Sequence, residues 1–168
     1  MTTPLSLNPK QVVRLTRASV AQAPGEACGI LLGRVVDGER RVLRLTVSAN
    51  LASATNHFLV DPVHLMRQEE ASRTDGLKIL GVWHSHPAQE ACPSHLDFEG
   101  TPDGWVQLIA RVDDGVLTDL RAWDSVEGEA VEAKVYMDVG TSKDATERAL
   151  DPMLRLARWG ASRGPLEA

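Results

Sequence analysis

The run Gly81–Asp97, GVWHSHPAQEACPSHLD, decides how this chain is read. Before and into it, Leu77, Ile79, Leu80, Val82 and Trp83 form an apolar run that predicts a buried strand. Side chains two apart on a strand share a face, so His84 and His86 project together, their Cα atoms about 6.5–7 Å apart. Two imidazoles at that spacing can converge on one small cation. Pro87 ends the strand by withdrawing a backbone donor and forcing a turn. Asp97 brings an oxygen ligand from the far side of the loop, and three protein ligands leave the fourth position of a catalytic zinc to water. Ser94, after Pro93, either caps a short helix carrying Asp97 or sets a hydroxyl beside the metal. The pattern reads as an open site for one zinc (Zn2+) per chain.

Histidines that stand alone are read differently. His57, His64 and His95 have no partner at ligand spacing, and each is assigned to packing or to the surface. Other zinc chemistries need other patterns. A nucleobase deaminase requires His-x-Glu with Pro-Cys-x-x-Cys, whereas this chain has Cys92-Pro93 in the reverse order and no second cysteine beside it. His-Glu-x-x-His is absent. Cys92 is read as a loop thiol facing solvent or packing, with adventitious metal binding or oxidation as the alternative. Cys28, next to Gly29-Ile30-Leu31, is read as a small core residue.

His84-Ser85-His86-Pro87, followed by Ser94 and Asp97, resembles the JAMM signature of the MPN zinc metalloproteases, in their small single-domain prokaryotic form. That family also carries a glutamate just before a buried strand, in a Pro-x-Glu-x-Cys-Gly setting. Here Pro24-Gly25-Glu26-Ala27-Cys28-Gly29 matches it, and the two halves occur in the family's order. The resemblance implies an α/β (α+β) MPN fold, a central mixed sheet flanked by helices with a cytidine-deaminase-like architecture. It implies that His84, His86 and Asp97 hold the zinc, that Glu26 is the general base on the attacking water, and that the Ser94 hydroxyl donates to the developing oxyanion. The implied substrate is the peptide or isopeptide bond after the C-terminal Gly-Gly of a ubiquitin-like or sulfur-carrier (β-grasp) protein. Two other classes stay in view: a non-catalytic MPN interaction module, and a metal-dependent amidohydrolase on small molecules. The module typically lacks the metal ligands, and here all five residues are present, which favours the enzyme.

Composition bounds the rest. A chain of 168 residues, 43% hydrophobic and 24% charged, predicts one globular domain with a proper core. A net charge of −5 offers no basic patch, which argues against a nucleic-acid partner. No apolar stretch is long enough for a membrane span, and Met1–Asn8 lacks the charged start and apolar middle of a signal peptide, so a cytoplasmic location is expected. Two cysteines make no disulfide framework.

Local signals place the elements. Asn8-Pro9 opens a helix that runs to Pro24. Strands are predicted over Ala27–Val36 and Arg41–Ser48, joined by an Asp37-Gly38 turn. Asn50–Asn56 reads as a loop, Phe58–Val60 as a short apolar run, and Asp61-Pro62 as the start of a helix ending by Asp75-Gly76. A helical turn over Leu96–Glu99 follows the metal loop. Further strands are expected over Trp105–Val112, Leu117–Trp123 and Ala130–Asp138. Residues 1–140 form the expected metalloprotease domain. In residues 141–168, Ala149, Leu150, Met153, Leu154, Leu156, Ala157 and Trp159 mark an amphipathic helix packed on that domain, or else a homodimer contact or substrate platform.

Overall fold

A computed structural model describes residues 1–99 and 101–139. Its first helix, α1 (Pro9–Gln22), begins where the sequence supplies a reciprocal cap. The Asn8 side chain accepts from the Gln11 N–H at 3.0 Å, and Gln11 Oε1 accepts from the Asn8 N–H at 2.8 Å. Pro9 fills the first helical position, where no donor is needed. Val12 and Leu15 form the buried face of α1, with Ser19 turning its hydroxyl back onto Leu15 O. The second helix, α2 (Pro62–Thr74), is started by Asp61, which accepts from the Val63 N–H at 2.9 Å.

Among the described residues, eight strands make one mixed sheet. They are β1 (Leu5–Leu7), β2 (Cys28–Val36), β3 (Glu39–Leu45), β4 (Lys78–Pro87), β5 (Val106–Asp113), β6 (Val116–Val126), β7 (Glu129–Ala133) and β8 (Val135–Met137), in the spatial order β7-β6-β5-β4-β2-β3-β1-β8. β4 runs parallel to β5, and β1 runs parallel to both β3 and β8; the other neighbours are antiparallel. The expected mixed sheet flanked by helices is what forms. α1 packs against β3, β4, β5 and β6, and the core between them holds Leu5, Leu15, Leu31, Trp83 and Leu108. Trp83 faces that core, so strand alternation turns His84 and His86 to the other face of the sheet.

Two stretches differ from the local reading. Leu5–Leu7 is a strand although nothing in three consecutive buried residues shows a period. The single strand expected over Ala130–Asp138 is two, broken at Lys134: β7 pairs with β6, and β8 pairs with β1 at the other end of the strand order. The crossing is made by Lys134, whose carbonyl accepts from the Leu5 N–H at 2.8 Å. A buried ion pair closes the same gap, with Arg40 Nη1 2.8 Å from Asp124 Oδ1 while Asp124 Oδ2 accepts from the Thr3 N–H. The sheet therefore curls around α1. The helix expected around Ala149–Trp159 lies outside the described residues. Among those described, no helix is long and apolar enough to cross a membrane.

Gly29 fixes the close approach of β2, β3 and β4. A Cβ there would lie 1.9 Å from Thr46 O and 2.4 Å from Trp83 Nε1, the two atoms that share a 2.7 Å hydrogen bond. Gly29→Ala is therefore expected to cost about 3 kcal/mol, the upper end of the range for overpacking. Equilibrium urea unfolding measures it, and an unchanged midpoint would show that the strands can part without loss.

Candidate metal centre

The site grows from the pairing of β2 with β4. Cys28 stands opposite His84, and Ser85 extends the register by donating its N–H to Ala27 O at 2.9 Å while its hydroxyl accepts from the Ala27 N–H. That carries Glu26 up beside His86. Nε2 of His86 is 3.9 Å from Glu26 Oε1 and 3.1 Å from Nε2 of His84. Asp97 comes from the 3₁₀ turn His95–Phe98, its Oδ1 3.7 Å from His84 Nε2. All four side chains are buried, His84 completely.

Hydrogen bonds decide which ring nitrogen faces inward. Nδ1 of His86 lies 2.6 Å from Glu90 O, an acceptor, so Nδ1 carries the proton and the Nε2 lone pair points at the cluster. The loop offering Glu90 is itself pinned: Trp123 Nε1 donates to Ala91 O at 2.8 Å, and the Ala88 N–H donates to Val112 O at 3.1 Å. His84 stacks on Phe58 with ring centroids 4.2 Å apart. Its pKa lies well below 6.5, chiefly because burial penalises the imidazolium and secondarily because His86 is close; the Gln107 side chain acts in the opposite direction. His84 is thus neutral, the form that ligates.

The donor set fits one divalent cation. Two nitrogens each 2.0–2.1 Å from a tetrahedral zinc lie about 3.3 Å apart, close to the observed separation of the two Nε2 atoms. Glu26 Oε2 is buried without a hydrogen-bond partner. Burial, and then the nearby Asp97 charge, push the Glu26 pKa up from 4.5 to about 7. Two carboxyl groups and two imidazoles meet in a buried place, a donor set that a cation between them would satisfy.

The expected residues do not all fall together equally. Glu26, His84 and His86 form the tight group, with ligand atoms within 4.8 Å of one another, and Asp97 adjoins it through His84. Asp97 Oδ2 accepts from the Ser94 N–H at 2.5 Å. Ser94 stands at the N-cap of the 3₁₀ turn, exposed to solvent. Cys28 is buried and Cys92 partly so. His64 takes a packing role, its Nε2 3.0 Å from Thr46 Oγ1, and His95 is exposed. Unforeseen was Asn50. Its amide donates to Glu26 O at 2.9 Å and His57 O at 3.0 Å, while Oδ1 accepts from the N–H groups of Ala52 and Leu59. One side chain thereby ties the loop carrying Phe58 to the backbone of Glu26. No local signal marks it, because Glu26 lies 24 residues away.

Residues 9–126 match the family described as prokaryotic homologs of the JAB domain. The chain belongs to that family. This JAB domain is 30% identical over 92 residues to a desampylase of Pyrococcus furiosus, across 55% of this chain and 63% of the relative. It is 33% identical over 93 residues to a probable TtuB-protein conjugate cleaving protease of Thermus thermophilus, across 54% and 60%. The matched segment thus spans less than two thirds of these relatives. A solution structure of a Desulfitobacterium hafniense protein superposes with a TM-score of 0.73 at 26% identity, covering 82% of this chain and 95% of that one.

Proposed function

We propose that this JAB domain is a zinc metallopeptidase that hydrolyses the peptide or isopeptide bond after the C-terminal Gly-Gly of a ubiquitin-like or sulfur-carrier protein. The buried cluster of Glu26, His84 and His86 beside Asp97 carries the reading. The relatives' names, desampylase and conjugate cleaving protease, support a protein conjugate as the substrate. His84, His86 and Asp97 would hold the metal, which when bound polarises the scissile carbonyl and makes water a nucleophile near neutral pH.

The remaining work belongs to the chain. Glu26 takes a proton from the attacking water as its oxygen bonds to the carbonyl carbon, then delivers that proton to the amine as the C–N bond breaks. The Ser94 hydroxyl donates to the oxygen that gains charge. Ser94→Ala is accordingly expected to lower turnover by about 10²–10³-fold with zinc retained, as for other single oxyanion donors. An unaltered rate would return Ser94 to capping alone.

The reading is tested with a β-grasp carrier whose Gly-Gly terminus bears an amide-linked blocking group, followed by intact mass. Loss of the group after the second glycine by zinc-loaded protein, abolished by chelator and restored by zinc, is the expected result. Failure across several such carriers by protein that does bind zinc would overturn the substrate assignment.

A further inference from the structure

Gln107 lies within β5 with no solvent exposure, paired in register with Val82 and so on the same face as His84. A buried primary amide is costly unless all its groups are satisfied. Both of its donors are committed to the metal loop: Nε2 donates to Asp97 O, and to Thr101 Oγ1 at 2.9 Å. Turning the amide end for end would set its oxygen against the Asp97 oxygen, acceptor to acceptor, so the orientation is fixed. Oε1 of Gln107 and Nδ1 of His84 are then both left buried with no hydrogen-bond partner. These two unpartnered atoms belong to side chains on adjacent strands and on one face of the sheet. A carbonyl oxygen and an imidazole nitrogen satisfy one another only when the nitrogen carries the proton.

We infer that Gln107 is a positioning residue that holds His84 as its Nδ1–H tautomer, with the Nε2 lone pair toward the metal, while the other end of the same amide fixes the main chain of Asp97. One side chain on β5 thus sets two ligands that reach the site from different elements. His86 meets the same requirement through a loop carbonyl, Glu90 O, whereas no carbonyl serves Nδ1 of His84. The inference rests on His84 and Asp97 holding a metal, as proposed above.

The test uses zinc-loaded full-length protein and two variants. Gln107→Leu keeps the volume and removes both ends of the amide. Gln107→Glu keeps an acceptor for His84 and removes both donors. Zinc affinity is read by competition with a chromophoric chelator, and the protonated ring nitrogen by long-range 1H–15N correlation spectra. Wild type is expected to show His84 protonated on Nδ1 with a slowly exchanging proton. Gln107→Leu is expected to weaken zinc binding by about 10–100-fold, the usual cost of losing a partner behind a ligand, and to speed exchange of that proton. Gln107→Glu is expected to keep the slow His84 proton and to bind zinc with intermediate affinity.

Wild-type protein in which His84 has no protected Nδ1–H overturns the inference without any variant. So does Gln107→Leu with unchanged zinc affinity, or Gln107→Glu that behaves like Gln107→Leu in the His84 spectrum. In those cases tight zinc binding by wild type leaves the metal site itself standing. Wild type that takes up no zinc overturns both.

Discussion

Glu26→Gln is expected to keep zinc bound and to lower turnover by about 10²–10⁴-fold, the contribution of a positioned general acid–base group. Glutamine matches the size of the glutamate and removes its charge and its ability to take a proton. In the metal-free protein, burial and then the nearby Asp97 charge raise the Glu26 pKa to about 7. Metal content and single-turnover rate, measured on the same preparation, separate the two effects. A variant that cleaves at the wild-type rate removes Glu26 from the proton path. The same substitution has a signature in the metal-free protein. A carboxyl whose folded pKa is raised holds its proton more tightly when folded, so its favourable contribution is full below about 4.5 and is lost as pH rises to about 7. Metal-free Glu26→Gln should therefore gain stability relative to wild type across that window. His84 shifts the other way, and its contribution weakens as pH falls below 6.5, but it is common to both proteins and cancels in the difference. A difference independent of pH would mean that the Glu26 carboxyl is not desolvated.

The parts of this site that follow a short-range rule could be read from the sequence. His84 and His86 share a face because strands repeat every two residues, and Pro87 does end β4. Asp37-Gly38 supplies the two positive φ angles of a tight turn, so that hairpin falls where expected, and Asp114-Gly115 supplies the same pair between β5 and β6. Glu26 had no such rule. Its place beside His86 depends on the register of β2 on β4, set by strands 58 residues apart, and only the family resemblance pointed to it. The supporting contacts were hidden for the same reason. Asn50 and Gln107 are polar residues whose value lies wholly in distant partners, and a backbone carbonyl such as Glu90 O carries no residue identity at all. β1 escaped because a strand of three residues is too short to show a period, and the break that makes β8 a separate strand escaped because tertiary curling joins it to β1.

The second large effect concerns which carboxylate binds the metal. Distance alone does not choose: Glu26 Oε1 is 3.9 Å from one imidazole nitrogen and Asp97 Oδ1 is 3.7 Å from the other. Anchoring favours Asp97 as the ligand, as proposed above. Asp97 is held at both ends, its Oδ2 by the Ser94 N–H and its main-chain oxygen by Gln107 and Thr101 Oγ1, so Oδ1 is presented to the site in a fixed position. Glu26 Oε2 has no partner, which leaves that carboxylate free to turn with a proton. A ligand benefits from rigidity, whereas a base must accept from one reactant and donate to another. Asp97→Asn keeps an oxygen for the Ser94 N–H and removes the charge, so any change reports the metal and not the turn. It is expected to weaken zinc binding by more than the about 10–100-fold that loss of a supporting contact costs, and to abolish turnover at limiting zinc. Glu26→Gln, titrated with zinc in parallel, should bind almost as wild type does. The reverse pattern, with zinc lost from Glu26→Gln and kept by Asp97→Asn, would exchange the two roles: the tight group of Glu26, His84 and His86 would then be the ligand set, and Asp97 the base.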